Sequence, residues 1–221
     1  MMGTPTKIFG IGLSRTGTTS LTHALGALGV RATHDCLPLF REPLHPMVAA
    51  HEAFVDTPVP LRFPLYDRCF PGSRFVLTTR ARDAWLKSMR WLFEHGKAWW
   101  RWPLEVHQYH QALYGSAAFD EGRLVATFDA YHAAVDEYFA ERPDDLLRLD
   151  VSRPDALALL AAFLDRPPPE DPAIPRSNAS TPAPLRHRAR YALAEHLLIR
   201  PALRFAANAD APRWFAPEEI A

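Results

Sequence analysis

IFGIGLSRTGTTSL, residues 8–21, passes from an apolar run through a glycine-rich turn into a segment with helical spacing. Gly12, four residues, Gly17 and then Thr18-Thr19 have the spacing of a phosphate-binding loop. Strand, turn and helix in that order are the context such a loop requires. A turn feeding a helix N-terminus presents several backbone N–H groups and the positive end of the helix dipole, which suits an anion. Gly12 and Gly17 permit close backbone approach, and Thr18, Thr19 and Ser20 add hydroxyl donors. Arg15 adds a fixed charge with a planar donor fork. One position departs from the nucleoside-triphosphatase pattern, because Thr18 stands where those proteins carry lysine.

Outward from the loop, bulk properties narrow the class. The 221 residues suffice for one α/β domain. With 25 basic and 25 acidic side chains the formal net charge is zero, so nucleic acid is not expected as the main partner. An apolar content of 48% is that of a globular chain rather than a disordered one. The two cysteines, Cys36 and Cys69, match no zinc or redox spacing and are expected as buried free thiols. The first residues carry no apolar leader, and no run reaches the ~18 apolar residues of a membrane span. A cytoplasmic location without membrane span is therefore expected.

Hydrophobic periodicity predicts a strand at Lys7–Ile11 and a helix from Thr18 to about Leu28, with Leu21, Leu25 and Leu28 on one face. Residues 31–52 read as irregular. Strands follow at Ala53–Asp56, Arg74–Thr79 and Leu146–Leu149. Helices are expected at Leu61–Phe70, from Ala81 to about His95, near Pro103–Tyr114, at Arg123–Glu141, and up to Leu164 from a Ser152 cap. The expected organisation is one domain over 1–221. It has a core at 7–165, a proline-rich loop at 167–184 and a helical tail at 185–221. Strands alternating with helices imply an α/β fold, a three-layer αβα arrangement around a mostly parallel sheet. Its ligand belongs at the carboxyl ends of the strands.

The missing lysine bears on the ligand. In P-loop enzymes that lysine and Mg²⁺ together neutralise the β- and γ-phosphates. A sulfuryl group carries less charge than a terminal phosphoryl, so metal becomes dispensable and none is expected. The loop thus leans toward a phosphosulfate. A second segment agrees: Arg80 leaves the strand in FVLTTRARDAWLKSM (75–89), and Ser88 follows eight residues later on the next helix. Arg80 can fork onto a phosphate and Ser88 can donate a hydroxyl, while Arg80 alone would equally suit a strand-end ion pair.

These motifs resemble those of the sulfotransferase superfamily. The loop GLSRTGTTSL is similar to its 5′-phosphosulfate loop, and Arg80 with Ser88 to its 3′-phosphate site. The likeness is closest to the small sulfotransferase-like P-loop proteins of undefined acceptor. It extends through Thr33-His34-Asp35, Asp56-Thr57-Pro58, Pro71–Ser88, 142–151, 160–169 and 174–180. The resemblance implies a P-loop NTPase-like fold and a metal-free enzyme using 3′-phosphoadenosine 5′-phosphosulfate (PAPS), with PAP as product. Ser14, Arg15, Thr16, Gly17, Thr18, Thr19 and Ser20 would then hold the 5′ end, with Arg15 beside the reacting group, and Arg80 and Ser88 would hold the 3′-phosphate.

The match has gaps. Ser20 stands where cytosolic aryl sulfotransferases stack a tryptophan on adenine, and VDTPVP (55–60) lacks their catalytic histidine. Asp56 is the first candidate for the base that takes the acceptor's proton, and His34 the second, with His51 weaker. Asp56 could equally cap the following turn. Arg186, His187 and Arg188 could supply a basic 3′-phosphate loop or a solvated helix face. Trp85 reads as packing. The aromatic segment 91–114 offers a lid over a small-molecule or carbohydrate acceptor, plain core, or a homodimer surface. His107 and His110 lack a third metal ligand in pattern. Two other readings stay open: a P-loop kinase or ATPase, and a non-catalytic protein binding PAP, another nucleotide or a partner on the same fold.

Overall fold

The computed structural model describes residues 6–34, 36–167, 174 and 182–206. Strand β1 (Ile8–Gly10) runs through the glycine turn into helix α1 (Thr18–Ala27). Next come β2 (Ala32–Thr33), α2 (Pro38–Arg41), α3 (Met47–Ala50), β3 (Ala53–Val55), α4 (Val59–Cys69) and β4 (Arg74–Thr78). Helix α5 (Arg82–Trp91) continues through a π turn into α6 (Lys97–Trp100), followed by α7 (Leu104–Tyr114) and α8 (Glu121–Tyr138). Strand β5 (Leu146–Leu149), α9 (Ala156–Phe163), α10 (Leu185–Ala194) and, after a second π turn, α11 (Arg200–Ala206) complete the described elements. Two compact units result, one within Met1–Ala81 and Tyr131–Ala179, the other within Arg82–Ala130 and Ser180–Ala221.

The first unit holds the five-stranded sheet, in the order β2-β3-β1-β4-β5, with every pairing parallel. This is the expected three-layer α/β architecture. Its two faces are written in the strands. Phe9, Phe54 and Phe75 sit in register across β3, β1 and β4, and side chains alternate along each strand, so all three rings share one face. Phe9 lies 5.8 Å from Phe54 and 5.6 Å from Phe75 between ring centroids. Tyr66 and Phe63 of α4 and Phe139, just after α8, complete this aromatic layer. On the other face Val55, Val76 and Leu149 pack with Leu21, Leu25, Leu157 and Leu160 from α1 and α9. Parallel strands covered on both sides need such continuous apolar runs.

Residues 31–52 are more ordered than their composition suggests. Two-residue β2 pairs with β3 through Ala32–Ala53 and Thr33–Phe54, too short a strand to leave a periodic signal. Pro38 opens α2, where its fixed φ and missing N–H suit a helix start. The buried Lys7 ammonium donates to the Val48 and His51 carbonyls at 2.7 and 2.6 Å, tying down this segment. Ser152 does not cap α9. Its N–H and hydroxyl both donate to Asp150 Oδ1, a local turn that delays the helix to Ala156. Cys36 is a buried free thiol as expected, whereas Cys69 is only half-buried.

The second unit is helical and takes up most of the aromatic segment as core. Trp85 is fully buried, 4.7 Å from Phe128 and 6.3 Å from Tyr114, which is the packing role read from its sequence context. Trp102, Tyr109 and Tyr114 are buried, while Trp99 and Trp100 are exposed. His107 and His110 are likewise buried, and each makes an ordinary hydrogen bond: His107 Nε2 with the Tyr191 hydroxyl at 2.5 Å, His110 Nδ1 with the Val106 carbonyl at 2.7 Å. Lys97 pairs with Glu195 at 2.6 Å, so two polar contacts fasten α10 and the turn after it to α6 and α7. The helical chain runs on from α10 through the π turn at Glu195–Ile199 into α11, which includes Pro201. Among the described residues no helix is long and apolar enough to cross a membrane.

Burial pulls the His107 pKa down to about 4 from its ordinary 6.5, with Glu195 opposing the shift and Lys97 adding to it. The folded state therefore binds its proton less readily than the unfolded state between those values. The stability His107 preserves is complete above about pH 6.5, declines as pH falls toward 4, and changes no further below that. Urea denaturation of wild type and His107→Gln across pH 4–7 should show the wild type losing more stability toward acid. Parallel pH profiles would contradict a buried neutral imidazole.

Candidate active site

The loop between β1 and α1 is held against β4. A Cβ on Gly12 would lie 1.8 Å from Thr78 Oγ1 and 2.9 Å from the Thr78 backbone nitrogen, so only glycine fits. The space it leaves is crossed by a hydroxyl pair, Thr16 Oγ1 and Thr78 Oγ1, 2.6 Å apart. Thr16 also donates its hydroxyl to the Leu13 carbonyl at 2.7 Å and its N–H to the same oxygen at 3.2 Å. Thr16, expected among the phosphate contacts, thus uses both donors inside the loop. Tyr131 donates its hydroxyl to the Ile11 carbonyl at 2.7 Å, fastening the start of the turn to α8.

Gly17 has φ +108°, and a Cβ there would lie 2.4 Å from Val151 Cγ2. It forms the N-cap of α1, with no side-chain cap and no acidic residue in the first turn. Helix starts leave their first N–H groups without helical partners, which is why such positions suit an anion. Ser14 is buried, Thr18 is buried, and Thr19 and Ser20 are half-buried along this start. Arg15 takes the left-handed conformation at φ +71°, where a non-glycine residue is strained.

Two arginines meet at the loop. Arg80, two residues past β4, donates from Nη1 to the Arg15 carbonyl at 3.2 Å. The Arg15 guanidinium is shifted down, first by burial and then by the like charge of Arg80, with Asp56 opposing. Arg80 thus reaches the backbone of the loop, within electrostatic range of Arg15, and a guanidinium fork suits phosphate or sulfate oxygens.

Asp56 and His34 were separate candidates in the sequence, and the fold joins them. Asp56 leaves β3 at φ +71°, and His34 follows β2 directly. His34 Nε2 lies 3.0 Å from Asp56 Oδ2, with the side chains 36% and 18% exposed. Thr18 donates its hydroxyl to the same carboxylate oxygen at 3.2 Å and lies 3.3 Å from His34 Nε2; Thr19 Oγ1 lies 3.1 Å from that nitrogen. Asp56 does not cap α4, which starts without a side-chain cap, although its carbonyl accepts the Val59 N–H at 2.8 Å. Burial pushes the Asp56 carboxyl upward, but the His34 hydrogen bond and charge, the Thr57 N–H and Thr18 together hold it below the ordinary carboxylate value. Asp56 is thus held toward its ionised form as a hydrogen-bond acceptor, and His34 presents Nε2 to it.

The loop, His34, Asp56 and Arg80 follow β1, β2, β3 and β4, and so collect at the carboxyl edge of the parallel sheet. Ser88 is buried on α5 in the second unit, and its expected role beside Arg80 rests on the spacing in the sequence. The supporting Thr78 and Tyr131 were not anticipated. Thr78 ends β4 next to β1, which an alternation argument could have found, whereas Tyr131 lies 120 residues from its partner Ile11 and has no local signal.

A family model of the sulfotransferase domain matches residues 7–49 and 38–182, most of the chain. The protein belongs to the sulfotransferase domain family, whose chemistry in general is transfer of a sulfuryl group. No curated protein gives a match.

Gly12→Ala should destabilise the protein by about 3 kcal/mol, as overpacking against strand backbone does. Gly26→Ala, where an added methyl meets nothing within 4 Å, should stabilise its helix slightly. Denaturant midpoints of the two variants check the contrast.

Proposed function

We propose that the protein transfers the sulfuryl group of PAPS to a hydroxyl or amine on a small-molecule or carbohydrate acceptor. The observation that carries this reading is the meeting of Arg15 and Arg80 at a phosphate loop in which Thr18 replaces the lysine. The residues fit the donor: bare glycines that keep the turn tight, an uncapped helix start, and two guanidiniums beside it. The N–H groups at the start of α1, with Ser14, Arg15, Thr18, Thr19 and Ser20, would hold its 5′ end. Arg80 would take the 3′-phosphate, with Ser88 assigned to the same phosphate by its sequence spacing. Bound there, PAPS supplies an activated sulfuryl group, whose S–O bond to the 5′-phosphate breaks as the bond to the acceptor forms.

The protein's own groups then have distinct tasks. Arg15 and the loop N–H groups stabilise negative charge on the phosphate side of that bond, where fixed donors are most effective. Asp56 takes the acceptor's proton, being ionised and placed at the sheet edge. His34 holds the Asp56 carboxylate through Nε2.

Calorimetric titration with PAP and with ATP tests the donor. PAP should bind without added metal and more tightly than ATP. Arg80→Ala should weaken PAP binding by about 10–100-fold, the loss of one charge-assisted contact, and change ATP binding much less. Equal weak affinity for both nucleotides would overturn the reading, as would magnesium-dependent ATP turnover. In transfer assays over phenols, sugars and amines, Asp56→Asn should lower turnover by about 10²–10⁴-fold without weakening PAP binding. PAP binding with no transfer to any acceptor class would instead mark a non-catalytic binder.

A further inference from the structure

Thr18 has a single hydroxyl proton and two uses for it. In the structure the hydroxyl donates to Asp56 Oδ2 at 3.2 Å. The same residue is the first of α1, at the position where a phosphate on the loop would seek a donor. A threonine hydroxyl donates one hydrogen bond at a time, so it cannot serve a carboxylate and a phosphate together. Thr19 stands in a similar position, with Oγ1 3.1 Å from His34 Nε2.

We propose that Thr18 couples the two halves of the reaction: a phosphate on the loop draws the Thr18 hydroxyl away from Asp56, and Asp56 is thereby released to take the acceptor's proton. The inference rests on the PAPS reading above. Its chemistry follows from what faces the carboxylate. His34 approaches from the end of β2, Thr57 donates its backbone N–H, Thr18 donates from α1, and Arg15, itself beside Arg80, acts from the loop. Each of these favours the ionised form. Withdrawal of the Thr18 hydrogen bond removes one of them, and the arriving phosphate offsets the charge of Arg15. Both changes make Asp56 a better proton acceptor, and both happen only when a donor is in place. His34 keeps its bond to Oδ2 and preserves the direction of the carboxylate. The proton leaves the acceptor's O–H or N–H and ends on Asp56, so no other co-reactant is needed. Thr18 is in this sense a positioning residue as well as a phosphate contact.

Carboxyl ¹³C NMR titration of Asp56, assigned by its absence from Asp56→Asn, reads the coupling without turnover. The titration midpoint should rise when wild type is saturated with PAP. In Thr18→Val the midpoint should be higher already without PAP, and PAP should move it by less. Thr18→Ser, which restores the hydroxyl, should return both values toward wild type. If Thr18→Val does not fold, Thr18→Ala serves the same comparison. Equal PAP-induced shifts in wild type and the hydroxyl-free variant would overturn the coupling while leaving PAP binding intact. An unmoved midpoint in PAP-saturated wild type would do the same. Failure of PAP to bind wild type at all would remove the donor reading, and this inference with it.

Discussion

The close approach of the β1–α1 turn to strand β4 is the constraint on which the site depends. Gly12 leaves no atom between the turn and Thr78, and the Thr16–Thr78 hydroxyl pair closes the gap at 2.6 Å. With the turn pressed there, the chain leaving β4 brings Arg80 onto the Arg15 carbonyl two residues later. Tyr131 secures the other end of the turn through the Ile11 carbonyl. A side chain at position 12 would push the turn off the strand and separate the arginines. Packing and charge are therefore one problem at this edge of the sheet.

The electrostatic arrangement differs from that of a lysine-and-magnesium loop. Two guanidiniums supply the positive charge, and a carboxylate stands close enough to oppose the downward shift of Arg15. That carboxylate is itself balanced by an imidazole and by hydroxyl and amide donors. Both Arg15 and Asp56 sit at φ +71°, a conformation costing of order 1 kcal/mol for a residue with a side chain. Positive φ at these two positions fits groups aimed by their surroundings. The sulfotransferase family match gives this charge pattern its chemical setting.

Legibility in the sequence followed the range of each interaction. The alternation that places Phe9, Phe54 and Phe75 on one face is a period-two pattern within each strand, and the loop is a spacing within ten residues. Both could be read directly. The two-residue β2 could not, since its existence depends on pairing with β3 and not on its own composition. Ser152 looked like a helix cap and became part of an Asp150 turn, because the nearer acceptor captured its donors. The aromatic segment read equally as lid, core or interface, and burial alone showed that Trp102, Tyr109 and Tyr114 are core.

By itself the sequence determined the α/β class, the glycine spacing of the β1–α1 turn with Thr18 at the lysine position and Arg15 inside the turn, and the separate candidacies of Arg80, Asp56 and His34. These depend on local spacing and on the chemistry of single side chains. Tertiary structure alone decided that Asp56 and His34 form a pair, that Thr18 touches both, and that Thr16 is spent on the loop. The physical reason is the parallel sheet. It gathers the ends of strands that lie far apart in the chain along one edge, and a hydrogen bond is set by distances of about 3 Å that no sequence spacing encodes.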